Sequence, residues 1–144
     1  MVMDELKSAI INALSDLEPA ECQPDALIEH EFFEIDTTAA DNSEWLAVMR
    51  GQLADATAFR IHCWEDEGDD IALALQYGSV EESNWRHGVI IAGAVTDEFR
   101  DMLLSQPKPA QRLAGNAFTP FFTIQLDNGF ESGHYGTELI KVHR

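Results

Sequence analysis

The sequence has few basic residues and few cysteines. Nine lysines and arginines stand against 26 aspartates and glutamates, which gives a formal net charge of -17 at pH 7. A field of that sign repels nucleic-acid phosphates and anionic lipids, so we expect no direct binding to nucleic acid or to a membrane. The two cysteines, Cys22 and Cys63, lack metal-ligand spacing and are too few for a disulfide framework. This cysteine usage is typical of the reducing cytoplasm.

The sequence also lacks the signatures of several common protein classes. No apolar run approaches the roughly 18 residues that a membrane helix needs. The first residues, MVMDELKSAIINAL, carry early acids and no basic region, so they do not resemble a secretory signal. The patterns GxSxG, GxGxxG and the P-loop are absent, and the five histidines show no HExxH spacing. We therefore expect no cofactor, no bound metal and no enzymatic activity.

The acidic charge is concentrated in one part of the chain. Residues 1–99 hold 22 carboxylates and four basic residues, whereas residues 100–144 hold four carboxylates and five basic residues. The densest stretch is WEDEGDD, residues 64–70, with five carboxylates around Gly68. An EF-hand loop with Gly68 at its sixth position would place Ala74, which has no oxygen ligand, at its twelfth. The stretch is therefore predicted to be an exposed turn and not a calcium loop.

The middle of the chain predicts antiparallel strands. FRIHCW alternates Phe59, Ile61 and Cys63 with polar or aromatic residues, and IALALQY and HGVIIAGAV alternate in a similar way. Short acidic turns between such runs favour a three-stranded meander, with WEDEGDD as a hairpin tip and GSVEESNW as a second turn. Alanines on the second face would let a helix lie close to the sheet.

The flanking segments predict helices and further strands. Helical periodicity spans residues 3–17, and Asp41 with Glu44 resembles a capping box that opens the helix SEWLAVMRGQLADAT. Thr96 is a suitable N-cap for a later helix. EHEFFEIDT is a short strand, FTPFFTIQL is a strand that Pro120 confines to an edge or a bulge, and Asp127-Asn128-Gly129 is a hairpin turn. The segment GTELIKVHR is compatible with a strand or a short helix.

The sequence thus predicts one α+β domain over residues 1–144. Its antiparallel sheet would have about five strands, including the central meander, and would pack with two to three helices. Cys63 is predicted to be a small core residue. His134, among the glycines of ESGHYG, is a candidate for catalysis.

Two tryptophans flank the acidic turns. Trp64 precedes EDEGDD, and Trp85 follows Glu81 and Glu82. Aromatic residues beside carboxylates are what an interface for a cationic partner would use. The alternative is that both tryptophans only cover the open ends of the sheet.

The order of elements resembles a known group of proteins. The segments that carry the resemblance are, in order, EFFEID, the helix SEWLAVMRGQL, FRIHCW, IALALQY and WRHGVIIAG, followed by a helix. Their layout is similar to that of immunity proteins of bacterial contact-dependent growth inhibition systems. The resemblance covers roughly residues 30–105. It implies a small acidic cytoplasmic protein that binds and neutralises the toxin domain of a cognate effector. Such toxins are often nucleases with basic clefts, which an acidic partner could fill.

The resulting hypothesis is an immunity protein that binds a basic toxin domain. Three alternatives remain: a DNA-mimic or anti-restriction inhibitor, a small enzyme using carboxylates with His62, His87 or His134, and a domain whose acidity only keeps it soluble. The candidate partner-binding residues are Trp64, Glu65, Asp66, Glu67, Asp69, Asp70, Glu81, Glu82 and Trp85.

Overall fold

The computed structural model describes residues 29–110 and 115–143. Glu31–Lys141 forms one compact unit, and the candidate site lies within it. The predicted helix over residues 3–17 lies outside the described residues, and the prediction of a single domain over residues 1–144 stays a prediction.

The described part of the chain is an α+β structure, as predicted, with more strands than expected. Its sheet has seven strands where about five were predicted, because one short strand forms within GSVEESNW, which was predicted as a turn, and two strands follow the turn at Asp127-Asn128-Gly129. None of the described helices is long and apolar enough to cross a membrane. The strands are β1 (Glu29–Phe33), β2 (Ala58–Trp64), β3 (Ser79–Glu81), β4 (Gly88–Ala94), β5 (Thr123–Leu126), β6 (Phe130–Gly133) and β7 (Glu138–His143), and the helices are α1 (Ser43–Ala54), α2 (Gly68–Leu75) and α3 (Asp97–Ser105).

The strand order is β1-β7-β6-β5-β2-β4-β3, which places β2 near the centre of the sheet. The described registers of β2 with β4 and β5, of β3 with β4, and of β6 with β5 and β7 are all antiparallel. Because side chains alternate across a strand, Phe59, Ile61 and Cys63 share the buried face of β2, as predicted. Arg60, His62 and Trp64 therefore lie on the opposite face.

Helices α1 and α3 supply much of the apolar core. Trp45, Met49 and Leu53 recur at helical spacing along α1, and all three are buried. In α3, the ring of Phe99 stacks on that of Phe59, with ring centroids 4.0 Å apart. The Thr96 hydroxyl accepts a hydrogen bond from the Phe99 backbone N–H at 3.0 Å, which confirms the predicted N-cap.

The largest correction concerns residues 65–77. IALALQY is not the second strand of a meander, because residues 68–75 form helix α2. The five carboxylates therefore lie in and before the first turn of a helix instead of at a hairpin tip. Alternating leucine and alanine have strong helix propensity, and Asp69 and Asp70 in the first turn interact favourably with the positive end of the helix dipole. The predicted three-stranded meander is replaced by β2, α2 and the β3–β4 hairpin.

Four smaller predictions are corrected, decided or confirmed. The capping box does not form: Glu44 accepts a hydrogen bond from the Asp36 backbone N–H, and Asp41 accepts from Ser43. Pro120 precedes β5, which is an interior strand and not an edge. The C-terminal segment, for which strand and helix were both open, forms strand β7. The hairpin at Asp127-Asn128-Gly129 is confirmed, since it joins β5 to β6 and Gly129 has a positive φ of 93°.

Candidate binding cleft

Several chain segments meet at one end of the sheet because of the antiparallel register. Trp64, the last residue of β2, pairs with Gly88 at the start of β4. On its other side, β2 pairs His62 with Thr123, the first residue of β5. The end of β6 lies beside the start of β5, and the 3-10 turn His134–Gly136 follows β6. Residues that are far apart in sequence therefore surround the segment that leads from β2 into α2.

These segments enclose a surface cleft of about 1050 Å³. Aromatic rings form one part of its lining: the ring centroids of Trp64 and Phe122 are 5.1 Å apart, and those of Phe122 and Tyr135 are 5.3 Å apart. The centroid of Trp85 lies 4.9 Å from that of Trp64, in an edge-to-face arrangement. Such pairs hold each ring in a defined orientation. The remaining lining is polar and comes mainly from Glu65, Asp66, Glu67, Asp69, Asp70, His87 and His134.

Glu67 joins two sides of this cleft. Its Oε1 accepts a hydrogen bond from the Trp64 backbone N–H at 2.9 Å, and its Oε2 accepts one from the Tyr135 hydroxyl at 2.5 Å. The Tyr135 side chain is largely buried. Hydrogen bonds to a charged acceptor are the stronger ones in proteins, so Glu67 fixes the turn against the 3-10 segment. We conclude that Glu67 organises the cleft and is not one of its freely exposed charges.

The 3-10 segment has an unusual backbone. His134 and Tyr135 have φ angles of 48° and 58°, in the left-handed region that residues other than glycine uncommonly adopt. The Tyr135 carbonyl accepts hydrogen bonds from the backbone N–H groups of Phe118 and Thr119, which hold this strained turn in place. The His134 Nδ1 lies 2.9 Å from Glu138 Oε2. The turn therefore places an exposed histidine next to the largely buried Tyr135.

The outer rim of the cleft carries exposed carboxylates. Asp66 and Asp69 are exposed, and so is Glu65, whose Oε2 lies 4.0 Å from the Nδ1 of the equally exposed His87. An ion pair at that distance and exposure contributes little to stability. Within residues 29–110 and 115–143, no group of three or more histidine, cysteine, aspartate and glutamate side chains is arranged to hold a metal ion.

The structure brings together six of the nine residues predicted to bind a partner. Trp64, Glu65, Asp66, Glu67, Asp69 and Asp70 line the cleft. Trp85 packs behind Trp64 and is not among the lining residues, whereas Glu81 on β3 hydrogen-bonds with Arg60 at 2.9 Å. Glu82 is exposed just after β3 and does not line the cleft. Phe122 and Tyr135 were not predicted, since their place in the cleft depends on pairing between strands about 60 residues apart.

A double-mutant cycle would measure the coupling between Glu67 and Tyr135. We expect Glu67→Gln and Tyr135→Phe each to lower the free energy of unfolding by about 1–3 kcal/mol, because each removes or weakens a charge-assisted hydrogen bond in a partly buried position. The double variant should lose less than the sum of the two, with a coupling energy of about 1 kcal/mol or more. Urea unfolding of the four proteins provides the measurement. Strict additivity would show that the hydroxyl and the carboxylate do not depend on each other.

Comparison with known proteins adds no relative: no protein-family model, curated protein or solved structure matches this chain. The geometry of the cleft therefore carries the functional argument.

Proposed function

We propose that this protein is an immunity protein that binds a cognate basic toxin domain through the cleft at the end of β2. The observation that carries the proposal is the combination of a rim of exposed carboxylates with an aromatic lining in one open cleft. The net charge of -17 extends the attraction beyond direct contact. A basic active site that grips phosphate would be complementary to this surface in charge.

The arrangement supports binding for two separate physical reasons. Exposed charges such as those of Asp66 and Asp69 accelerate association with a basic partner but contribute modestly to the final affinity. Aromatic side chains that are already held in place lose little conformational entropy on binding and can supply affinity. Trp64, held by edge-to-face and tilted contacts with Trp85 and Phe122, is therefore the proposed anchor.

The proposal predicts a specific loss when rim charge is reversed. The proposal expects a toxin domain to be encoded by the reading frame immediately upstream of this protein's gene, and that domain is the partner to test. We expect the double reversal Asp66→Lys with Asp69→Lys to slow association at least ~10-fold at low ionic strength and to weaken its salt dependence. Stopped-flow or surface plasmon resonance measurements at about 20 and 200 mM salt would show both effects.

The matched control is Glu98→Lys with Asp101→Lys on α3. Both residues are exposed, the change in net charge is the same, and Glu98, like Asp69, lies in the first turn of a helix. This control should change the association rate far less than the rim reversal. Equal effects of the two double variants would exclude the cleft as the docking site, and failure of the wild-type protein to bind or neutralise that toxin domain would contradict the function itself.

One observation favours a second candidate function, an enzyme that uses acid–base chemistry. A carboxylate beside the Nδ1 of a histidine fixes the orientation of the ring, and Glu138 stands in that position toward His134. If the cleft is catalytic, His134→Gln should abolish turnover of a chromogenic ester, glycoside or phosphodiester and leave the fold intact. No turnover of such substrates by the wild-type protein would count against this candidate.

A further inference from the structure

We propose that the cleft at the end of β2 receives an arginine side chain of the partner, with the guanidinium stacked on Trp64 and within reach of the rim carboxylates. This inference rests on the proposed function only for the source of the arginine, since the chemistry belongs to the cleft itself. Three features of the cleft support it: its rings, its charges and its size.

The aromatic lining offers ring faces that attract cations. Trp64, Phe122 and Tyr135 lie in successive contact, and the rings of Trp64 and Phe122 are inclined by 56°. Because these rings are inclined and not stacked, they do not cover each other's faces fully. The face of an aromatic ring is electron-rich, and tryptophan binds cations best among the aromatic side chains. A positive group that enters the cleft can therefore lie against Trp64.

The carboxylates divide into an inner and an outer set. Glu67 is engaged by the Trp64 backbone and the Tyr135 hydroxyl, so it is not assigned to the ligand. Glu65, Asp66 and Asp69 are exposed on the rim. The positive end of the α2 dipole opposes a cation here, but it amounts to about half an elementary charge, which is less than the charge of the three rim carboxylates. The net field of the rim thus remains attractive to a cation.

The combination of ring and carboxylate favours arginine over lysine. A guanidinium group is planar, so it can stack on an aromatic face while its N–H groups donate to a carboxylate at its edge. A lysine ammonium is more strongly hydrated and has no face that could stack. The volume of about 1050 Å³ exceeds that of one side chain, so the cleft has room for an arginine together with neighbouring residues of the loop that carries it.

The test uses three blocked tripeptides that differ in their central residue: Gly-Arg-Gly, Gly-Lys-Gly and Gly-citrulline-Gly. Citrulline keeps the shape of arginine without its charge. Titrations followed by the amide shifts of the ¹⁵N-labelled protein and by tryptophan fluorescence should give a dissociation constant in the millimolar range for the arginine peptide. We expect about 3-fold weaker binding of the lysine peptide and about 10-fold weaker binding of the citrulline peptide.

Variants of the protein distinguish the contribution of the Trp64 ring to peptide binding from that of the rim carboxylates. Trp64→Leu should weaken binding of the arginine peptide about 5-fold or more. Asp66→Asn with Asp69→Asn, which changes only exposed groups and nearly keeps their size, should weaken it by a similar factor, whereas Glu98→Gln with Asp101→Asn should not. Equal binding of the arginine and citrulline peptides, or shift changes confined to residues outside the cleft, would overturn the inference.

The outcomes also distinguish this inference from the proposed function. A toxin domain that binds with the expected sensitivity to rim reversal, combined with no binding of the arginine peptide, would leave the function standing and reject arginine recognition. Selective binding of the arginine peptide, combined with no toxin complex, would support arginine recognition and reject the immunity function.

Discussion

Replacing Gly136 with alanine should lower the free energy of unfolding by about 3 kcal/mol or more, because two separate costs add at this position. Gly136 has a φ of 95°, where an L-residue is strained by about 1–2 kcal/mol. A Cβ there would also lie 2.8 Å from Cδ1 and Nε1 of Trp45. The indole is buried and donates to the Ser132 hydroxyl, so it cannot move aside without further loss.

The control for this prediction is Gly115→Ala. Gly115 has a φ of 122°, yet a Cβ there would meet nothing within 4 Å. It should therefore show only the conformational cost of about 1–2 kcal/mol, and the difference between the two variants isolates the collision with Trp45. Urea unfolding gives both values, and near-ultraviolet circular dichroism reports on the indole. Equal losses in the two variants would mean that the core accommodates the added methyl group.

The effect of Gly136→Ala should extend to the binding cleft. Gly136 follows Tyr135, whose hydroxyl donates to Glu67 and whose carbonyl is held by two backbone N–H groups. A shift of the 3-10 segment would therefore displace the aromatic lining along with the core. Gly115→Ala should leave peptide or toxin binding unchanged.

The parts of the fold that could be predicted are those determined by local pattern. The alternation of Phe59, Ile61 and Cys63 defined β2, and the Thr96 hydroxyl defined the start of α3. In both cases a short-range rule and the tertiary packing favour the same structure. The hairpin at Asp127-Asn128-Gly129 belongs to the same class, since a glycine with positive φ allows this turn.

The error over residues 68–75 came from a pattern with two interpretations. Ile71, Leu73 and Leu75 alternate with alanine, and alanine is compatible with either face of a strand. Residue propensity, however, favours a helix, and the preceding carboxylates stabilise its N-terminus. In the helix, Ala74 becomes fully buried and Leu75 remains 43% exposed, which an inward-facing leucine in a strand would not be.

Only part of the candidate site could be predicted, because local sequence does not show which distant segments meet. Glu65, Asp66 and Asp69 are adjacent in sequence, so their clustering needs no knowledge of the fold. Phe122 and Tyr135 reach the same cleft through the pairing of β2 with β5 and of β5 with β6. Local sequence could not separate Glu81, which engages Arg60, from the acids that stay exposed. The sequence shows how many carboxylates the chain has. It does not show which of them are engaged by basic side chains in the folded protein.

A second large effect is expected from pH, through His62. This side chain lies on the face of β2 opposite the core, near Trp85, and its Nε2 is buried with no hydrogen-bond partner among the described residues. Burial holds the pKa of His62 below its ordinary value of 6.5, and a hydrogen bond with Gln125 and the charge of Glu131 offset this only in part. The Arg60 guanidinium adds to the lowering, whereas Glu81 opposes it.

The sign of the pH effect follows from this lowered pKa. Below pH 6.5 the unfolded chain takes up a proton at His62 that the folded protein does not, so the free energy of unfolding falls as the pH falls. The slope from this one group can approach about 1.4 kcal/mol per pH unit, until the pH reaches the pKa of the folded state. Above 6.5 the pH dependence from this group fades, and it vanishes once the unfolded chain is fully deprotonated at His62. The carboxylates with lowered pKa, such as Asp127, act only in a separate window at and below their ordinary value of 3.8.

The measurement compares the wild-type protein with His62→Gln, which cannot titrate but can still hydrogen-bond with Gln125. Urea unfolding between about pH 5 and 8 should show the wild-type protein losing stability relative to the variant as the pH falls through the unfolded-state pKa. The other histidines and the relief of repulsion among the carboxylates affect both proteins equally, so the difference isolates His62. Parallel stability curves would show that protonated His62 is accommodated in the folded state, with Glu131 and Glu81 compensating for its burial.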